Sequence, residues 1–308
     1  MFVSKRVFIQ VFIRDPFLIE GHAFEIGIYV LITSLDPLVI YRFTSECLIR
    51  LCPDSYYPFD PLNTRKYVVG DENLNFWEIP PFKDFDGKFS HLKMFENYFE
   101  SKNQSVKNFW EQIDDAIVTV TLEKLQLMAN ELELQCSVYN CSNENFFELL
   151  RFDFIIARDG NVKLLEVNLN PDFDGIKNEK KKEHYEQVLY NALRLIGAEG
   201  FEIFRQDLRT SSMTSRYEDL SIDFNNCKNC QKSCSNPSCN HCISCFSQDF
   251  IKTLHNINRE HQKRGNFKRI FPSKIYNANV DYLSLMTEKT RRLSNWIGFM
   301  CNENIDWC

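Results

Sequence analysis

Apolar residues gather in short runs rich in β-branched and aromatic side chains in the first part of the chain and recur with helical spacing further on. Val7 to Ile13 reads as a strand closed by Pro16. Phe24 to Thr33 reads as a second strand, which turns at Ser34-Leu35-Asp36-Pro37 and returns as Val39 to Phe43. Leu48 to Leu51 continues the sheet. From Cys52 to about Ser90 the text is rich in Pro, Asp, Asn and Tyr, as in a long ordered loop or an insertion. Helical spacing begins near His91, where Trp110, Ile113, Ile117 and Val120 share a stripe that runs on through Leu127 towards Leu134. Such a stripe is core packing before it is anything else. Tyr185, Val188, Leu189, Ala192, Leu193 and Ile196 mark another helix, ended by Gly197.

Between these helices two apolar runs, Phe152 to Ala157 and Val162 to Asn168, flank Asp159-Gly160. An Asp-Gly pair suits the two central positions of a type I′ turn, so the runs are expected to fold back as a tight hairpin. Counting outward, Arg158 pairs with Asn161, Ala157 with Val162, and Asp153 with Glu166; Asn168 then points the same way. Apart from Lys163, both faces beyond the turn are apolar, which places the hairpin in the interior. Two opposed carboxylates there share a proton or hold a cation. With an amide oxygen they form the hard oxygen set that Mg²⁺ accepts when substrate phosphates complete its shell. The plain alternative is an edge hairpin whose acids reach water.

At 308 residues, with 44% hydrophobic residues and a net charge of −6, the chain has room for one large or two modest domains. The charge does not point to nucleic acid. No apolar run reaches the ~18 residues of a membrane span, and the start does not read as a targeting segment. Phenylalanine is abundant, at 27, and glycine scarce, at 10, with no Gly-rich phosphate loop.

Of the 12 cysteines, eight follow residue 226. Cys227, Cys230, Cys234, Cys239, Cys242 and Cys245, with His241, lie within one short span. Repeated Cys-x2-Cys knuckles suit a tetrahedral Zn²⁺ site, and the spacing tips the reading that way. The rival is a disulfide-stapled module in an oxidising compartment, with which the sequons at Asn103 and Asn140 are compatible. Cys301 and Cys308 either close a small loop or are buried thiols; Cys47 and Cys52 read as packing. Residues 201–226 are polar and read as a linker, which gives three parts: 1–200, 201–226 and a Cys-rich module over 227–308.

Three stretches resemble the tubulin-tyrosine ligase-like family of ATP-grasp amino-acid ligases. They are Val30 to Leu38 with Ile40-Tyr41, Phe147 to Leu150 leading into Phe152-Asp153, and Leu164 to Asn168. The similarity covers roughly residues 6 to 197. The loop at Tyr67-Val68-Val69-Gly70 and the Cys-rich tail are similar to a divergent polyglutamylase-type branch. The fold implied is α+β: an ATP-grasp-like antiparallel sheet with flanking helices, to which the Cys-rich module is added. The family's amino-terminal lobe is expected to be missing from these residues.

The activity implied is ATP- and Mg²⁺-dependent joining of glutamate to a glutamate side chain of tubulin or another protein with an acidic tail. By position, Asp153, Glu166 and Asn168 match the magnesium ligands, and Gln10, Val11, Phe12 and Ile13 the strand that meets adenine. Arg50 matches an arginine near the transferred phosphate or the acceptor. Where the family has Lys-Phe-Asp-x-Arg, this chain has Ala23-Phe24-Glu25-Ile26-Gly27, so of the phosphate-site residues only the acid persists, as Glu25. That departure supports the alternative of a catalytically silent binding or scaffold protein. An acidic substrate would meet Lys180, Lys181 and Lys182, or Arg264, Lys268 and Arg269. The location expected of the family is cytoplasmic and cytoskeleton-associated; disulfides in the tail would instead imply the secretory lumen.

Overall fold

The computed structural model describes residues 10–70, 72–80, 82, 90–140, 146–171, 173, 179–198, 227, 230, 234, 239, 242–273 and 285–308. The predicted linker at 201–226 lies outside them. The elements follow an α+β order. They are β1 (Phe24–Leu35), β2 (Leu38–Phe43), β3 (Leu48–Leu51), β4 (Leu74–Asn75), α1 (His91–Ser101), α2 (Val106–Tyr139), β5 (Glu148–Ile156), β6 (Val162–Asn168), α3 (Glu179–Ile196), α4 (Gln248–Lys263), β7 (Phe267–Phe271) and α5 (Glu288–Glu303). The strands pair antiparallel, β1 with β2 and β3, β3 with β4, and β2 with β7, while β5 pairs with β1 and β6. The antiparallel sheet and flanking helices expected from the sequence are present. Among the described residues no helix is long and apolar enough to cross a membrane.

The chain forms two compact units. The first contains residues up to Gly27, Leu48–Ile113 and Asp153–Glu166. Its interior is built from rings: Phe17 lies 5.1 Å from Phe99, Phe95 6.0 Å from Phe24 and Phe109 5.4 Å from Phe99, most of them edge-on or tilted. Aromatic pairs in such arrangements gain beyond their buried area, which accounts for part of the phenylalanine count. The helical stretch predicted from His91 is two helices. Ser90 caps α1 by accepting from the Lys93 N–H, and the chain breaks after Ser101, with Asn103 at φ 60°.

No strand forms over Gln10 to Ile13, where Val11 is 92% exposed. Strand propensity is realised by pairing, and among the described strands none pairs with these residues. The rest of that predicted run, 7–9, lies outside the described residues.

The second unit contains Ile28–Cys47, Asp114–Phe152 and Val167–Cys308. One buried cluster joins Tyr29, Leu31, Val39 and Tyr41 of β1 and β2 to Leu254 of α4, Phe267 of β7 and Trp296 of α5. β7 lies against β2, with Ile40 opposite Phe271 and Phe43 opposite Phe267. The chain that follows the Cys-rich span therefore adds a strand and two helices to the core that β1 and β2 begin. Arg269, one of the cations proposed for an acidic surface, is buried and donates to the Trp307 carbonyl at 2.5 Å and the Pro272 carbonyl at 3.1 Å. It serves the core, since a strand facing inwards buries whatever its period assigns to that face. The outer half of α2 departs from its stripe: Leu127 and Leu134 are exposed. Periodicity identifies a face, not what covers it.

Six tail cysteines are paired as disulfides: Cys227 with Cys242, Cys230 with Cys239, and Cys234 with Cys245, with Cα atoms 5.5 to 5.6 Å apart. This corrects the zinc reading of Cys227, Cys230, Cys239, Cys242 and Cys245. Each sulfur of one Cys-x2-Cys knuckle bonds to a sulfur of the other, so the thiolates a Zn²⁺ ion requires are consumed. Cys301 and Cys308 are also paired, whereas Cys47 and Cys52 are buried and in no disulfide, as expected from their context.

Candidate functional site

β1 and β3 set Glu25 directly opposite Arg50. Side chains of opposed residues share a face, and Arg50 Nη2 makes an ion pair with Glu25 Oε1. The same nitrogen donates to Asp153 Oδ2 at 3.1 Å, from β5. Asp153 is fully buried, while the Glu25 and Arg50 side chains are 14% and 21% exposed. One guanidinium thus serves two acids, and Asp153 has a countercharge at the depth where an isolated carboxylate would cost several kcal/mol. Two sequence-predicted catalytic residues, Glu25 and Arg50, and one predicted metal ligand, Asp153, therefore meet. Beside them Cys52 is fully buried, and burial, then Glu25 and Asp54, push its thiol up to about 12. It stays protonated at neutral pH and is no nucleophile.

The hairpin forms, but on a different turn. The Gly160 N–H donates to the Ala157 carbonyl and the Ala157 N–H to the Asn161 carbonyl, both at 2.9 Å. Gly160 alone of the turn residues has positive φ, at 83°. This is a three-residue loop with a glycine bulge, so Ala157 opposes Asn161 rather than Val162. The count that set Asp153 directly opposite Glu166 starts one residue out and does not follow from this turn. Their burial differs accordingly: Asp153 is enclosed, Glu166 exposed and Asn168 partly buried. The exposed positions of β6, Lys163 and Glu166, are three apart, so strict alternation does not describe that strand.

Two glutamines clasp the hairpin's tip, and the sequence reading missed both. Gln112 Nε2 donates to the Gly160 carbonyl at 3.2 Å, and its Oε1 accepts from the Val162 N–H at 3.0 Å. Gln104 Nε2 donates to the Arg158 carbonyl at 3.4 Å. Gln112 is a polar residue between apolar helix positions and Gln104 lies just before α2, but nothing local tells where they reach. The bond between Arg50 and Asp153 could have been sought: a lone arginine in the apolar run Leu48 to Leu51 needs an acid, as a buried aspartate needs a cation.

Asp153, Glu166 and Asn168 offer two carboxylates and an amide oxygen, a donor set whose chemistry fits a hard divalent ion that takes its remaining ligands from phosphate and water. Among the described residues no group of three or more His, Cys, Asp and Glu side chains is placed to hold a metal. Ala23 is buried against Cys52 and Tyr56, and Gly27 pairs with Leu48; neither position brings a cation to Glu25. Gln10 to Ile13 make no strand edge, and Lys182 is exposed and pairs with Glu186 one turn on.

The model of the Tubulin-tyrosine ligase family matches residues 2–205. The chain belongs to that family. It is 31% identical over 317 residues to the Probable tubulin polyglutamylase ttll-15 of Caenorhabditis elegans, covering 98% of this chain and 58% of the relative. It is 30% identical over 194 residues to the Tubulin polyglutamylase TTLL6 of Mus musculus, covering 61% of this chain and 23% of that protein. Tubulin monoglutamylase TTLL4 of Mus musculus is 29% identical over 174 residues, which covers 54% of this chain and 14% of that protein. The chain thus spans little more than half the length of the worm relative and less of the others. Glu25, Arg50, Asp153, Glu166 and Asn168 all fall within the span the family model matches.

Proposed function

We propose that this chain belongs to a protein glutamate ligase that uses ATP and Mg²⁺ to join glutamate to a glutamate side chain of an acidic protein tail, tubulin being the first acceptor to test. The observation that carries this is the family match over 2–205, which takes in every residue of the acidic cluster; the relatives' printed names, polyglutamylase and monoglutamylase, supply the reaction. In such a reaction ATP phosphorylates the acceptor carboxylate, and the incoming amine displaces phosphate. Asp153, Glu166 and Asn168 would hold the magnesium ion, which supplies neutralisation of phosphate charge. Arg50 positions Asp153 through its bond to Oδ2. Glu25 holds Arg50 in turn.

The test is glutamate incorporation into tubulin by the full-length protein, with and without ATP. Glu166→Gln and Asp153→Asn are each expected to lower kcat at least about 100-fold, the scale of losing one charge-stabilising group. Because Glu166 is exposed, its variant should fold normally; wild-type turnover by Glu166→Gln would remove the metal assignment. A second reading, a silent binding protein, is favoured by the absence of cations at Ala23 and Gly27. It takes over if the full-length protein binds no ATP.

A further inference from the structure

The span from Cys227 to Cys245 contains a single large aliphatic residue, Ile243. Among its described residues the buried cluster is the cysteines themselves: Cys230, Cys239 and Cys242, with Cys227 and Cys245 packed against them. Three cross-links close loops with sequence separations of 15, 9 and 11. A segment this polar has no apolar core to fold around once reduced, so the cross-links are the structure. Cysteine pairs of this kind persist in oxidising compartments and are lost to thiol reductants elsewhere.

A second, independent observation points to the same place. Asn103-Gln104-Ser105 is an acceptor triplet for N-linked glycan. Asn103 stands between α1 and α2 at φ 60°, exposed, and its side chain makes no hydrogen bond among the described residues. Asn140, which opens the triplet Asn140-Cys141-Ser142, is likewise exposed, at φ 52° beyond the end of α2. Of the asparagines that begin such triplets, none is buried.

We infer that this chain folds in an oxidising, glycosylating compartment and that Asn103 is an N-glycan acceptor, with Asn140 the second. In the transfer, Asn103 Nδ2 bonds to the anomeric carbon of a lipid-linked diphosphate oligosaccharide. The carbon–oxygen bond to the diphosphate breaks, the lipid diphosphate leaves, and the amide gives up one proton. The three disulfides form as six thiols release six protons and six electrons to a dithiol–disulfide oxidant. One consequence rests on the ligase reading: the acceptor glutamate then belongs to an acidic protein of the same compartment, for which tubulin stands in the assay as a surrogate.

The experiment uses the tagged full-length protein purified from its own cells, treated with a peptide N-glycosidase and, separately, alkylated in denaturant before and after reduction. Two mobility steps are expected on deglycosylation, one absent from Asn103→Gln and the other from Asn140→Gln. The six tail cysteines are expected to resist alkylation until reduced, while Cys47 and Cys52 react at once. Tail thiols that alkylate without reduction, or a wild-type mobility that the glycosidase leaves unchanged, would overturn the inference. Neither readout involves glutamate transfer, so failure here leaves the ligase assay standing as its own test.

Discussion

The buried acid Glu260 of α4 shows what one residue can impose on a whole domain. Its Oε2 accepts from Thr33 Oγ1 at 3.1 Å and Tyr41 Oη at 3.0 Å. Burial pushes its pKa up from 4.5 to about 7, against the pull of those two hydroxyls and of Arg259 and Arg269. The folded protein therefore holds a proton that the unfolded chain releases near 4.5, and stability falls as pH rises between the two values, then levels off. The full span is worth about 3 kcal/mol. Melting temperature followed across that window should decline for the wild type and stay nearly flat for Glu260→Gln; an equal decline in both would show that another group is responsible. The pairing of Arg50 with Asp153 belongs to the same scale. Each residue was recognisable alone, as an odd charge in an apolar strand, but they lie 103 positions apart, and no local pattern joins residues at that distance.

At the scale of elements, strand identity was written in the short apolar runs from Phe24 to Phe43 and from Phe152 to Asn168, bounded by turn residues, because burial of both faces demands it. The turn between β5 and β6 was legible as a turn and misread as to type, since Asp-Gly suits both a two-residue I′ loop and the end of a three-residue bulged one. Which forms depends on contacts from elsewhere, here the glutamines that bond the Arg158 and Gly160 carbonyls. Gly160 should be intolerant of a side chain on two grounds: its φ of 83° and a Cβ that would run into the Gln104 amide. Gly160→Ala is expected to cost about 1–2 kcal/mol in urea unfolding. If Gln104→Ala in the same chain restores full stability, the close contact and not the backbone is what the glycine serves.

For the molecule as a whole, the break in composition at Cys227 marks a change of chemistry, from apolar packing to cross-links, and the fold continues past it. β7 and the helices α4 and α5 complete the cluster that Tyr29, Val39 and Tyr41 begin. A chain ended at residue 226 is accordingly expected to lose its cooperative thermal transition and to bind a hydrophobic dye; a soluble truncated protein with a sharp melt would show that the core closes without them. The sequence could not show this, because the contacts between β2 and β7 join residues more than 200 positions apart. The clasp at the hairpin's tip has a bearing on how copies of the molecule meet. Among the described strands β6 pairs with β5, and the outer rim of an edge strand invites recruitment by a foreign strand. A carboxamide carries the same donor and acceptor as a peptide unit, and Gln112 turns both towards the first residues of that rim. It occupies the first link of that rim by impersonating one more unit of backbone, so a foreign strand finds no template at the hairpin's tip.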